Sequence, residues 1–189
     1  MKSPYKGRFK VTQVYKEAKH KGLDLVGLDD KTIYSTVTGT VEAAKNDTHP
    51  TGGMGLYIRI REDGTSRRFY FAHLSLLHVF KGDRVKPGDK IGVEGSTGNS
   101  TGSHLHYEIR TEPDNMTFLN VSEISGIPNK LGVYGMPDIK DVNVTIGYTI
   151  VKAKLIDGVT YTPLRETIEA VKNQLDVTWD KAKGAGLKL

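Results

Sequence analysis

The stretch Leu56-Tyr-Ile-Arg-Ile-Arg61 puts Leu56, Ile58 and Ile60 on one side of an extended chain and Arg59 and Arg61 on the other. Period two of this kind belongs to a strand with one face buried and one face wet. Asp63-Gly64 follows as a hairpin turn, and Arg68-Phe-Tyr-Phe-Ala-His73 supplies the returning strand. Segments 8–15, 39–44 and 104–110 also read as strands, and no helical stripe of convincing length precedes residue 160. Twenty-one glycines against seven prolines provide the tight turns that short strands need. The first two-thirds of the chain is therefore expected to be a mainly β domain.

The texture changes from about Val121. Ser125-Gly-Ile-Pro-Asn-Lys-Leu-Gly-Val-Tyr-Gly-Met-Pro137 is rich in Gly and Pro and reads as a linker. The expected division is a β domain over 1–122, a linker over 123–140 and a small α+β domain over 141–189. In the last, strand-like 142–146, 150–156 and 159–162 precede Thr162-Pro163, an N-cap and first-turn pair that opens a short helix to about Asn173. Val177-Thr-Trp179 and Gly186-Leu-Lys-Leu189 are expected to close a small sheet. About fifty residues make a thin core.

Several function classes are excluded at this level. The absence of cysteine removes disulfides, thiolate metal sites and cysteine nucleophiles. No run approaches the roughly 18–20 apolar residues of a membrane span, so no membrane insertion is expected. The basic N-terminus has no apolar segment behind it and does not read as a secretory signal peptide. The net charge of +5 is spread along the chain: residues 1–125 carry 18 Lys and Arg against 15 Asp and Glu, and residues 126–189 carry nine against seven. Nucleic-acid binders concentrate basic residues in a patch, so no nucleic-acid partner is expected.

The chemistry gathers around histidine. In His104-Leu-His-Tyr-Glu-Ile-Arg110, residues 105, 107 and 109 share one strand face and His104, His106, Glu108 and Arg110 the other. Two imidazoles about 7 Å apart on one face can converge on a single site, although solvated histidines on a polar face are the simpler reading of this pair alone. Before them, Gly95-Ser-Thr-Gly-Asn-Ser-Thr-Gly-Ser103 lacks the Gly-Lys-[Ser/Thr] ending of a phosphate loop. Its composition suits a backbone that passes close beside a groove. His20-Lys-Gly-Leu-Asp24 adds an imidazole and a carboxylate, with Gly22 arguing for an extended or turning segment over a helix. Two imidazoles and one carboxylate are a common catalytic zinc set that leaves a fourth position for water. His73 ends a strand whose Phe69 and Phe71 share its face, which by itself suggests a packed core histidine.

Read in order, His20-x-x-x-Asp24, Gly39-Thr-Val, Tyr70-Phe-Ala-His-Leu-Ser75, Gly82-Asp-x-Val-x-x-Gly-Asp-x-Ile-Gly92 and Gly95-Ser-Thr-Gly-x-Ser-Thr-Gly-x-His-Leu-His106-Tyr-Glu resemble the lysostaphin/LytM-type zinc metallopeptidases, which cut peptidoglycan cross-links. The resemblance covers roughly residues 8 to 112. It implies an antiparallel β-sheet catalytic domain with a groove, and Zn2+ held by His20, Asp24 and His106. It gives His104 and His73 catalytic roles without metal ligation, His104 as principal base and His73 as its helper or as oxyanion stabiliser. No His-Glu-x-x-His helix is present, so imidazoles rather than that glutamate would handle protons.

Three segments depart from the family pattern: 29–35, Gly55-Leu56, and the loop 45–54 containing His49. The resemblance places them on groove walls, where they bear on substrate choice. His49 and His78 read as ordinary loop residues. From Val151 the chain resembles the small repeat named after the N-terminal region of copper amine oxidases, without copper ligands. Together these imply a zinc endopeptidase acting on peptidoglycan stem or bridge peptides, in the manner of a phage or prophage lysin. Such an enzyme is made in the cytoplasm and reaches the wall through a holin or as part of a virion. The contrasting reading is a catalytically inactive wall-binding or regulatory module of the same fold. A barrel-like carrier domain is disfavoured, because it leaves the five site residues unexplained.

Overall fold

The computed structural model describes residues 3–47, 53–111, 117–135, 140–146, 149–156, 159–172, 179–180 and 184–185, in two units, Met1–Met136 and Pro137–Leu189. The first unit runs β1 (Phe9–Gln13), β2 (Leu23–Gly27), β3 (Thr32–Tyr34), β4 (Gly39–Asp47), β5 (Gly55–Glu62), β6 (Arg67–Leu74), β7 (Leu76–Leu77), β8 (Arg84–Val85), β9 (Lys90–Val93), β10 (Leu105–Thr111), β11 (Thr117–Leu119), α1 (Val121–Ser125) and β12 (Gly132–Tyr134). The main sheet has the order β12-β1-β2-β10-β6-β5-β4-β8, with β11 paired to β10, and a second sheet has the order β3-β9-β7. These pairings are antiparallel, as the alternation predicts for a mainly β domain.

Register explains how the sheet acquires two different faces. Leu105 pairs with Leu25, Tyr107 with Leu23 and Phe71, and Ile109 with Phe69, while Ile58 and Ile60 face Phe71 and Phe69 from β5. All of these side chains are buried, and they form one core cluster with Ile33, Val37, Val85 and Ile91. Residues one step away along each strand must then point to the opposite face. That face carries three rungs: Asp24–His106–Ala72, Glu108–Tyr70–Arg59 and Arg110–Arg68–Arg61. The polar residues of the sequence pattern therefore line one surface, with the core beneath them.

One expectation needs correcting. The stretch 123–140 does not serve wholly as a linker, because the first unit takes up its residues as far as Met136. Asn120 caps α1 by accepting a hydrogen bond from Ser122 N–H, Gly126 closes it in the left-handed region, and β12 adds to β1 at the sheet edge. The Gly and Pro that suggested a tether instead make the turns that bring β12 back. Segment 29–35 is exposed at Asp29, Asp30 and Lys31 and buried at its other end. Ile33, Tyr34 and Ser35 are buried, and β3 belongs to the second sheet. Neighbouring Thr36 Oγ1 lies 2.8 Å from Tyr107 Oη, on the core side of the main sheet.

A buried carboxylate ties the segments around this core together. Glu94 accepts hydrogen bonds from Tyr5 Oη at 2.6 Å, Gly27 N–H at 2.8 Å, Lys31 Nζ at 2.7 Å and Ser103 Oγ at 2.8 Å. It thus joins the N-terminal segment, the end of β2 and the residue before His104.

The second unit, read as a small α+β domain, has that character. It contains β13 (Lys140–Ile146), β14 (Thr149–Ile156), β15 (Val159–Tyr161) and α2 (Leu164–Lys172). The sheet order is β13-β14-β15, and α2 lies against β14 and β13, with Val151, Ala153 and Ala170 buried. A short ladder joins β16 (Trp179–Asp180) to β17 (Gly184–Ala185). Val177 and residues 186–189, expected to close a sheet, lie outside the described residues, as does His49. No helix of the described residues is long and apolar enough to cross a membrane.

Burial raises the pKa of Glu94, but hydrogen bonds from Lys31, Tyr5, Gly27 and Ser103 outweigh it and hold the carboxyl below its ordinary value. A depressed folded-state pKa gives stability that is whole above the unfolded value of about 4.3 and is lost as pH falls through the folded value. Glu94→Gln is expected to cost about 1–3 kcal/mol at pH 7 and to flatten the loss of stability in acid. Thermal unfolding of both proteins between pH 3 and 7 checks this.

Candidate active site

His20 and Asp24 are four residues apart but share no helix. Lys16 and His20 form an isolated bridge that closes a turn, and Asp24 lies within β2. The turn brings His20 Nε2 to 3.1 Å from Asp24 Oδ1. Across the β2–β10 pairing, His106 Nδ1 is 2.8 Å from the same oxygen and 3.2 Å from His20 Nε2. A tetrahedral zinc ion with bonds of about 2.0–2.1 Å has ligand-to-ligand edges of about 3.3–3.4 Å. Two imidazole nitrogens and a carboxylate oxygen thus already stand near the spacing such an ion requires. Among the described residues, His20, Asp24 and His106 form the cluster able to hold a metal ion.

The outer nitrogen of each ring fixes what the inner one can do. His20 Nδ1 lies 2.9 Å from the Val14 carbonyl, which only accepts, so that nitrogen carries a proton and Nε2 is the one that can offer a lone pair to a metal ion. His106 Nε2 lies 3.3 Å from Glu108 Oε2, which leaves Nδ1 as the nitrogen that can ligate once its own proton is lost. Glu108 is buried, and its other oxygen accepts a hydrogen bond from Arg110 Nε. Gly22 completes the arrangement by its lack of a side chain. A Cβ there would stand 2.6 Å from the Tyr107 carbonyl oxygen and 2.8 Å from the His106 ring.

His104 and His73 approach from the other side. His104 follows the glycine-rich segment, pairs with Gly95 in an isolated bridge, and holds Nε2 at 3.8 Å from Asp24 Oδ1. Its Nδ1 donates to the Gly102 carbonyl at 2.8 Å. Glycine is required at Gly98, where φ is +73° and a Cβ would stand 2.3 Å from Gly55 N. The segment therefore packs tightly against β5, as a close-passing backbone demands.

Regular alternation would send His73 into the core beside Phe71. Instead the β5–β6 register slips between Leu56 and Ile58, leaving an extra residue in β6, and His73 takes φ +62°. It is the described non-glycine residue with positive φ. Such a bulge re-aims a side chain at a local cost in strain. The ring now stands 4.8 Å from that of His104 and 5.9 Å from that of His106, with Nδ1 donating to the Thr97 carbonyl at 2.8 Å. The expectation that His73 shares a face with Phe69 and Phe71 is thus corrected by the bulge.

Electrostatics follow from these contacts. Burial disfavours the charged form of Asp24, but hydrogen bonds from His106 and His20 prevail and hold its carboxyl well below the usual range. Burial also opposes charge on His106, yet its bonds to Asp24 and Glu108 raise it to about 9. Burial, reinforced by His104 and His106, pushes His73 below its ordinary value and keeps it neutral near pH 7, though its bond to Thr97 acts the other way.

The structure brings together all five residues singled out in the sequence: His20, Asp24, His73, His104 and His106. His78 is not among the residues gathered here. Sequence reasoning missed the orienting role of Glu108, although an acid two positions beyond His106 on the same strand face was a readable signal. It also missed the Val14, Thr97 and Gly102 carbonyls, which leave no mark in side-chain pattern.

Comparison with known proteins places this geometry. The family model for Peptidase family M23 matches residues 18–118. Peptidoglycan DD-endopeptidase ShyA of Vibrio cholerae is 36% identical over 115 residues, 60% of this chain and 26% of that protein. Glycyl-glycine endopeptidase ALE-1 of Staphylococcus capitis is 50% identical over 52 residues, 28% of this chain and 14% of that protein. The catalytic domain of a point mutant of the prophage-encoded M23 protein EnpA from Enterococcus faecalis superposes with a TM-score of 0.52 and 26% identity, covering 62% of this chain and 93% of that one. The chain thus spans about a quarter or less of these two curated relatives. The family match covers more than half of the chain, which belongs to peptidase family M23.

In metal-free protein, the raised His106 value gives stability that is whole below its unfolded value of about 6.5 and is lost as pH rises towards 9. An incoming metal ion must displace that proton. Metal uptake at pH 7 is therefore expected to release about one proton, with affinity rising up to about pH 9. Calorimetry in buffers of different ionisation enthalpy measures the release; none at pH 7 would mean that His106 is already neutral.

Proposed function

We propose, from membership of peptidase family M23, that this chain is a zinc-dependent endopeptidase hydrolysing peptide cross-links or stem peptides of bacterial peptidoglycan. One observation carries the reading: three donor atoms from β2, β10 and the preceding turn stand at tetrahedral spacing, and two further imidazoles face the same point. Zinc suits two imidazoles and one carboxylate and, when bound, supplies Lewis-acid polarisation and acidification of water.

The protein's own groups divide the remaining work. His20 and His106 offer lone pairs at Nε2 and Nδ1 because Val14 and Glu108 hold their other nitrogens. His104 presents an Nε2 lone pair towards the site, which suits it to take a proton there and return it to the leaving amine. His73 is neutral, and its one N–H is engaged by Thr97. A ring in that state accepts at Nε2, which supports a helper that orients the attacking water and argues against a neutral oxyanion donor.

Both peptidoglycan DD-endopeptidase and glycyl-glycine endopeptidase occur among the relatives' names, which supports peptidoglycan peptides as the substrate class. Likeness to the catalytic domain of prophage-encoded EnpA supports a phage or prophage lysin, released to the wall through a holin or carried by a virion. We assign the second unit to wall attachment, supported by Ile150, Tyr161 and Ile168, which it leaves exposed.

His106→Ala is expected to abolish zinc binding and wall hydrolysis together. His104→Ala should retain zinc and lose about 10²–10⁴-fold in rate. Zinc content and the release of new amino groups from purified walls read both outcomes. Wild-type protein that binds zinc and walls without cutting would favour the inactive binding module instead. Removing residues 137–189, past β12 so that the first sheet is kept whole, should weaken wall binding more than hydrolysis of a soluble peptide; equal losses would make that unit structural.

A further inference from the structure

On the polar face of the main sheet, a cavity of about 260 Å³ is lined by Asp47, Met54, Tyr57, Arg59, Tyr70 and Arg110. It lies on the rung next to His106, because Glu108, Tyr70 and Arg59 pair across β10, β6 and β5. One rung is about 7 Å along a strand and neighbouring strands are about 4.8 Å apart. Arg59 therefore stands about 12 Å from His106, the reach of three to four residues of extended peptide at about 3.3–3.6 Å each.

The cavity is rich in guanidinium. Arg110 lies 4.2 Å and Arg59 5.9 Å from the centre of the Tyr70 ring, and Tyr57 stacks on Tyr70. Glu42 is shared by three arginines, Arg59, Arg61 and Arg68, at 3.0–3.3 Å. Sharing one carboxylate with two other guanidinia, Arg59 is only partly neutralised by it. The buried Arg59 Nε is 3.3 Å from Glu42 but makes no hydrogen bond. An adjoining cavity of about 350 Å³ shares Tyr57 and Arg59 and adds Lys45 and Lys81. The opposing Asp47 carboxylate is engaged by the Met54 N–H at 3.1 Å.

We propose that this cavity is a carboxylate-binding subsite, with Arg59 as its specificity-determining residue. It takes an acidic group about three to four residues from the cleaved bond and so selects acidic stem peptides over uncharged glycine bridges. The proposal rests on the peptidoglycan endopeptidase reading and narrows its substrate. A guanidinium fork matches a carboxylate in two parallel hydrogen bonds, and the aromatic rings beneath it hold the fork in place.

The test compares N-acetyl-D-alanyl-D-alanine with its C-terminal carboxamide, bound to the full chain stripped of metal so that no ion can hold the carboxylate. The acid is expected to bind about tenfold to a hundredfold tighter than the amide. Arg59→Gln should erase that difference. Arg59→Lys, which keeps the charge beside Glu42 and guards against a folding defect, should retain part of it. Equal binding of the two probes, no binding of either at millimolar concentration, or a preference that survives Arg59→Gln would overturn the subsite. Wall digestion by the zinc-loaded protein separates the two levels. Cut walls without an acid preference sink the subsite alone, and an Arg59-dependent preference with intact walls sinks the hydrolase reading alone.

Discussion

The pairing of Asp24 with His106 across β2 and β10 is the constraint on which the rest depends. It lines up a carboxylate and an imidazole on the polar face while Leu23, Leu25, Leu105 and Tyr107 go beneath. A one-residue slip would exchange the two faces, burying the ligands and exposing the core. The hydrophobic drive that sets the register therefore also builds the candidate metal site. His20, His104 and His73 need separate devices: a closed turn, the glycine-rich segment and the bulge in β6.

Much of this was legible because it depends on period two. The alternation in 56–61 and 104–110 foretold which residues lie in the core and which face outwards, and His104 and His106 were readable as one polar face. The departures arise where local rules yield to tertiary ones. No spacing rule shows that β6 carries a bulge at His73, because the extra residue is defined only by what β5 places opposite it. Nor does composition distinguish a Gly- and Pro-rich tether from the turns that return β12 to β1. The even spread of charge along the chain was a true reading of the sequence, yet register gathers Arg59, Arg61, Arg68 and Arg110 onto two adjacent rungs.

Strain and rigidity are placed with purpose around the histidines. His73 bears positive φ, and its surroundings hold it there: its N–H donates to the Met54 carbonyl at 2.8 Å and its ring to Thr97. Thr97 in turn bonds the Leu74 carbonyl and Leu56 N–H through its hydroxyl. His104 is steadied at one remove, since Glu94 holds Ser103 while Gly102 takes the ring. Such supports keep two imidazoles aimed at one point without ligating it, as proton transfer in a fixed geometry requires.

Specificity and chemistry cannot be wholly separated on this sheet. Glu108 receives His106 on one oxygen and Arg110 on the other, so a guanidinium lining the cavity also shapes the basicity of the His106 imidazole, a candidate metal ligand. An anion arriving at Arg110 would compete for that guanidinium and leave Glu108 with more of its charge directed at His106. Arg59 stands apart from this chain of contacts, tied to Glu42 and Tyr70 and not to Glu108. The two arginines can therefore report different things. On the proposed function, a change at Arg110 would disturb metal affinity and substrate choice together, whereas a change at Arg59 would alter the charge of the cavity and leave the imidazole's partner in place.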